Sequence, residues 1–242
     1  MLEGLYSSAA GMAAQQEQLN AIGNDLANLS TSGYKAERVA FGDLHYNAVT
    51  IAGTETTVGA GASARSLGRL ETEGSLHQTG NPLDLAIEGE GFFEVALPGG
   101  QTGLTRNGAL QLDAAGHITD GQGNILQPPI AVPAGVSESQ LRVSADGTVS
   151  ASGRTLGRIS LVTVPAPDQL LGSGEGTLLP GVASGAPVPA SGQLRQGALE
   201  ESNVDLGREM TALITSQRAF QMDSSAIQTE NQMLSIANQL RT

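Results

Sequence analysis

Residues 206–240 read LGREMTALITSQRAFQMDSSAIQTENQMLSIANQL. Leu206, Leu213, Phe220, Ile227 and Leu234 recur at intervals of seven. Ala212, Ala219, Ala226, Met233 and Leu240 form a second series beside them. Heptad spacing places both series on one stripe of a helix. No proline interrupts, so the helix can run to residue 242, about 56 Å. The preceding Ser202-Asn203-Val204-Asp205 reads as the helix start, with Ser202 as the cap and Asp205 three residues on.

The other end of the chain repeats this design. Leu5, Met12, Leu19 and Leu26 are heptad-spaced, with Leu2, Ala9, Gln16 and Gly23 in the alternate seam positions. A helix over residues 2–29 is about 42 Å long. It stops at Asn28-Leu29-Ser30-Thr31-Ser32-Gly33, where Gly33 can take a positive φ. Neither stripe is apolar enough for a free-standing zipper, because Gln16, Gly23, Gln217, Ser224 and Asn231 interrupt it. Such a seam suits packing against several neighbours in an assembly.

Between the helices the period changes to two. Leu83, Leu85 and Ile87 alternate with small or polar residues, as do Phe93, Val95 and Leu97, and then Leu141 with Val143 and Ile159 with Leu161. Asn107-Gly108, Asp120-Gly121, Asp146-Gly147 and Ser152-Gly153 mark turns. Short strands with many turns predict an antiparallel sandwich or barrel. Residues 50–66 are rich in Gly, Ala and Thr and read as an extended or mobile loop. Residues 165–197 hold five of the ten prolines and read as an irregular return path. The expected fold class is α+β, with a discontinuous coiled-coil-like domain of terminal helices, a central all-β domain and extended loops between. The boundaries are 1–34 for the first helix, 35–80 for a connecting segment, 81–164 for the β-domain, 165–200 for the return segment and 201–242 for the last helix.

Composition narrows the function. There are 24 acidic and 12 basic side chains among 242 residues, and the net charge is -12. That balance opposes nonspecific binding to nucleic acid phosphates. Zero cysteines exclude disulfides, thiolate metal sites and a cysteine nucleophile. No run of 18 apolar residues exists to span a membrane. Residues 1–30 contain no Lys or Arg and no contiguous apolar run, so if the chain leaves the cytoplasm it is expected to do so without an ordinary signal peptide.

No catalytic, cofactor or metal site is expected. His45, His77 and His117 lack ligand spacing, and no HExxH or G-x-S-x-G motif occurs. Gly89-Glu90-Gly91 precedes a strand and reads as a turn, not a phosphate loop. Asp113 to Asn124 fails the EF-hand pattern and reads as a pair of β-turns. Lys35 and Arg38 form a small basic cluster, which either pairs with nearby Glu37 and Asp43 or meets an interface.

Four ordered segments carry a resemblance. Leu26 to Lys35 (LANLSTSGYK) resembles the signature after the first helix of flagellar rod and hook proteins, with Asn28, Gly33 and Tyr34 in place and Thr31 one position early. Asn81 to Phe93 (NPLDLAIEGEGFF) resembles the opening of their β-domain through Asn81, Pro82, Gly91, Phe92 and Phe93. Leu104-Thr105-Arg106-Asn107-Gly108 is similar to the Y-T-R-x-G segment, with Leu104 replacing Tyr. Residues 197–240, with Ser202, Asn203, Gln217 and Arg218, resemble the C-terminal signature. Phe41 to Tyr46 (FGDLHY) is most like the distal rod members.

The resemblance implies a structural subunit of the bacterial flagellar basal-body rod, not an enzyme. It implies export by the flagellar type III apparatus, a helical polymer around the export channel and transmission of torque to the hook. The implied partners are copies of the chain itself, other rod and hook proteins and the export apparatus. The alternatives are a proximal rod protein or short rod/hook paralogue, and, from another class, a secreted β-rich binding module with a helical stalk. The expected assembly residues are Leu5, Met12, Leu19, Leu26, Leu206, Leu213, Phe220, Ile227 and Leu234.

Overall fold

The computed structural model describes residues 2–51, 54–174 and 176–240. The chain divides into two compact units. A helical unit comprises Met1–Ala27, Glu37–Gly68 and Asp205–Thr242, and a β unit comprises Asn28–Ala36 and Arg69–Val204.

In the helical unit, α1 is Leu2–Ala27 and α2 is Leu206–Gln239. The cap of α2 is Asp205, whose carboxylate accepts the Arg208 N–H at 3.1 Å. This corrects the placement of the start at Ser202, which lies outside the helix and accepts from Val204 N. An ionised cap places negative charge at the helix's positive end, which a serine cannot.

The helices run antiparallel and in contact. Gly11 of α1 faces Asp223 of α2, and Gly4 faces Glu230, so the register advances seven residues on each helix. A Cβ on Gly11 would lie 2.7 Å from Asp223 Oδ2. Glycine therefore sets the interhelical approach where an acidic side chain crosses the seam. The buried face of α1 is Ala14, Ala21, Ile22 and Asp25. Asp25 accepts the Glu37 N–H at 3.1 Å and fastens the helix end to the following strand.

That strand, Glu37–Asp43, pairs with Ala62–Arg69. Tyr46–Ile51 and Thr54–Gly59 form an antiparallel ladder from Tyr46↔Gly59 to Ile51↔Thr54. Most of the segment expected to be a loop at 50–66 is thus strand, while residues 52–53 lie outside the described residues. Thr and Val supply β propensity there, and the missing signal was a clean alternation of apolar and polar residues in the sequence.

The β unit is antiparallel. Its largest sheet has nine strands among the described residues, with Phe92–Ala96 near its centre between Thr102–Thr105 and Ile125–Gln127. Leu161–Thr163 also pairs with Phe92–Ala96. Leu141–Val143, Thr148–Ala151 and Arg154–Arg158 form a three-stranded sheet. Leu85–Glu88 pairs with Gln193–Gln196, and Leu76–Gln78 with Ala198–Glu200. The return path at 165–197 is therefore not irregular throughout. It supplies strands Leu171–Gly174, Thr177–Leu179, Val188–Pro189 and Gln193–Gln196. Proline and short length hid them, because strands of two to four residues show no period.

Adjacent residues on a strand point to opposite faces. Phe93 and Val95 accordingly enter the main core with Leu85, Ile87, Leu126, Leu141 and Val149. Phe92 enters a second cluster with Leu104, Val162, Val164, Leu170 and Leu178. One strand is a wall shared by two cores.

Candidate functional site

The family-like segments meet in the β unit around one buried carboxylate. Glu200 ends the strand Ala198–Glu200 and is 2% exposed. Its Oε1 accepts Lys35 Nζ at 2.6 Å and Gly74 N at 2.9 Å. Its Oε2 accepts Arg106 Nε at 2.6 Å. Lys35 also donates to Thr72 O at 2.7 Å. Arg106 spends its other nitrogens on the Gly91 and Gly89 carbonyls, at 3.2 and 2.8 Å. Two buried cations thus share one anion, and every polar arm has a named partner, as burial of charge requires.

The backbone is drawn in as well. Gly33 N donates to Glu200 O at 2.8 Å. Gly33 has φ 71°, and a Cβ there would sit 2.6 Å from the Arg106 carbonyl. The position requires glycine on both counts. Asn203 accepts Ala36 N at 2.8 Å and donates to Leu70 O at 2.7 Å and Thr72 O at 3.0 Å. Its own N–H bonds Tyr34 O at 3.3 Å.

The electrostatics have a definite sign. Burial pushes the Glu200 carboxyl up, but the bonds from Lys35 and Arg106 outweigh it and hold the group below its ordinary 4.5. Burial pulls the Lys35 ammonium below its usual value, against the pull of Glu200. Burial raises the neighbouring Glu71. With a lowered folded value, the folded state binds fewer protons in acid than the unfolded one. Glu200 therefore contributes in full above pH 4.5, and that contribution disappears as pH falls through the folded value. Glu71 has the opposite sign, contributing below 4.5 and losing that contribution as pH rises through its raised value. We expect the urea midpoint of the β unit to fall steeply below pH 4.5, and Glu200→Gln to lack that acid limb. An acid limb unchanged in the variant would refute the assignment.

Lys35 thus pairs neither with Glu37 nor with Asp43, but with a residue 165 positions away. Nothing local in the sequence signals this partner. The available clue was that the only lysine of the chain stands inside a family signature. The other motif residues have structural tasks. Asn28 accepts Thr31 Oγ1 at 3.1 Å. Asn81 donates to Asp84 at 2.9 Å, and Pro82 O accepts Gln196 Nε2 at 2.7 Å. Gly89 to Gly91 forms the turn into a strand, and its carbonyls also receive Arg106. Asp113 and Asp120 cap two turns, accepting from His117 N at 2.7 Å and Asn124 N at 2.9 Å.

In the helical unit, Leu213, Phe220, Ile227 and Leu234 lie half-buried on α2. Leu5, Met12, Leu19 and Leu26 are half-buried on α1, outside its most buried stripe. Leu206, Gln217 and Arg218 are exposed. Met210, Ile214, Met222, Met233, Ile236 and Leu240 add to an exposed apolar surface on α2. Among the described residues no group of three His, Cys, Asp or Glu is placed to hold a metal. Among them, too, no helix is long and apolar enough to cross a membrane.

Comparison with known proteins agrees with this arrangement. Three family models match in order: a flagella basal body rod protein model over residues 5–35, the flagellar hook protein FlgE/F/G D1 domain over 86–151, and the flagellar basal body rod FlgEFG protein C-terminal model over 195–240. The flagellar basal-body rod protein FlgG of Caulobacter vibrioides is 36% identical, with all of both chains covered. FlgG of Bacillus subtilis is 36% identical over 97% of both chains. The flagellar basal-body rod protein FlgF of Mesorhizobium japonicum is 30% identical over 91% of this chain and 90% of its own. With the helices, the shared β-domain and the buried clasp of Lys35, Arg106 and Glu200 all falling inside matched or aligned segments, this chain belongs to the flagellar basal-body rod protein family and is a structural rod subunit.

Proposed function

We propose that the chain is a distal-type rod subunit that polymerises into a helical tube around the export channel. Its partners are further copies of itself, other rod and hook proteins and, before assembly, the flagellar type III export apparatus. The finished tube carries motor torque to the hook. The assembly residues are Leu5, Met12, Leu19 and Leu26 with Leu206, Leu213, Phe220, Ile227 and Leu234.

One observation carries this reading. α2 has apolar residues on two faces. Leu213, Phe220, Ile227 and Leu234 are half-buried, whereas Met210, Ile214, Met233 and Ile236 stand exposed, Ile214 by 50%. A lone pair of helices uses one face; a helix in a filament is covered on several. The two full-length matches to FlgG, against a weaker match to FlgF, favour the distal position over the proximal one.

Electron cryomicroscopy of isolated basal bodies tests it. Density for this chain at the hook-proximal end of the rod is the expected result. Density near the membrane ring makes it a proximal rod protein. Absence from the axial structure leaves the binding module with a helical stalk.

One variant and one exchange measurement sharpen the test. Ile214→Asp should change the stability of the free chain by about 0.5 kcal/mol or less, as surface substitutions do, yet abolish filament growth in sedimentation. Wild-type growth by that variant removes Ile214 from the interface. In dilute monomer, amides of α1 and α2 should exchange faster than those of the β unit, because their seam is polar and their apolar faces await neighbours. Equal protection contradicts the proposal.

A further inference from the structure

The β unit is closed by residues from its far end. Among the described residues, Leu85–Glu88 has one strand partner, Gln193–Gln196, and Leu76–Gln78 has one, Ala198–Glu200. Between these strands Gly197 N bonds Asp84 O at 2.8 Å, and Thr79 N bonds Gly197 O at 2.9 Å. Leu194 is buried in the main core, and its N–H reaches Ala145 O at 3.0 Å. The Gln196 amide donates to Pro82 O at 2.7 Å and Leu141 O at 3.0 Å, and accepts Val143 N at 3.2 Å. Glu200 follows with the two cations, and then Asn203 with Ala36 and Leu70.

We infer that residues 193–203 are a closing strap, and that the β unit does not reach its packed state until this strap is seated. Three costs enforce the order. Without the strap, the backbone groups of two strands have no ladder partner. Lys35 and Arg106 lose the buried carboxylate on which both converge. Leu85, Ile87 and Leu141 lose the Leu194 side of their core. The strap lies late in the unit, 94 residues beyond Arg106. A chain delivered amino end first therefore keeps this unit open through nearly its whole length. Loop-closure entropy grows only slowly with separation, so late arrival costs little final stability while deferring closure. The inference concerns the single chain and is independent of the assembly reading above.

Pulse-labelling hydrogen exchange during refolding of the full chain tests it. Amides of the strap (Leu194, Leu199, Glu201), of its partners (Ala86, His77) and of the main sheet (Val95, Leu126) should gain protection in a single phase with one rate constant. Protection of Val95 and Leu126 in an earlier phase, with Leu194 and Leu199 still open, overturns the inference. Gln196→Ala in the full chain is a milder probe that keeps the core intact. It should slow protection of strap and sheet by the same factor. Slowing confined to the strap refutes the gating role, whatever the stability of the variant.

Discussion

Replacing Glu200 by Gln should lower the stability of the β unit by about 3–5 kcal/mol, the cost of removing one partner from a buried ion pair. The amide keeps the shape of the carboxylate but abandons Lys35 and Arg106, whose side chains are 3% and 4% exposed. Most of the loss is the penalty of two buried cations deprived of the carboxylate they share, not the worth of a salt bridge. Urea unfolding should therefore show a large fall in midpoint at unchanged slope. The converse follows from the same physics. Replacing Lys35 and Arg106 by Met together with Glu200 by Leu removes the charge penalty, but it leaves Gly74 N and the Thr72, Gly89 and Gly91 carbonyls without these partners, so it should recover only part of the stability. If Glu200→Gln unfolds at the wild-type midpoint, the clasp is not what holds these segments.

Phe93→Ala should cost a similar 3–5 kcal/mol. Phe93 is fully buried among Leu85, Ile87, Val95 and Leu126. Its neighbours sit on strands fixed by ladders, so they cannot collapse into the space an alanine leaves. Phe93→Leu retains most of the volume and should cost less than about 1.5 kcal/mol. Native-state amide exchange would read both variants. Equal protection of Leu126 in Phe93→Ala and wild type would show that the cavity is absorbed elsewhere.

Period made the helices legible. Leu213, Phe220, Ile227 and Leu234 state a helix by spacing alone, and the absence of proline lets it run on. The strands around Leu85, Phe93 and Leu141 were equally plain, because one face is buried and alternation follows. The ladder at 46–59 was not, since its sequence, rich in Thr, Gly and Ala, shows no clean alternation. Nor were the strands at 171–174 and 188–189, which are too short for any period and stand among prolines. The clasp was half visible. Lys35, Arg106 and Asn203 each stand in a family-like segment, yet their convergence on Glu200 is a fact of topology. A pairing across 165 residues leaves no local trace. The site residues chosen on α1 by heptad, Leu5, Met12, Leu19 and Leu26, are the larger side chains. The most buried stripe is made of the smaller Ala14 and Ala21 with Ile22, because close approach to α2 favours small residues.

The clasp also makes this protein its own gauge. The sequence holds one lysine, and its ammonium is engaged by Glu200 and Thr72. An amine-reactive reagent, the α-amine aside, can modify the chain at a single side chain, and only while that side chain is released. The rate of Lys35 acylation is then a clock for opening of the β unit. It could be read by mass in a free subunit or in an intact rod, with no probe introduced and no residue changed.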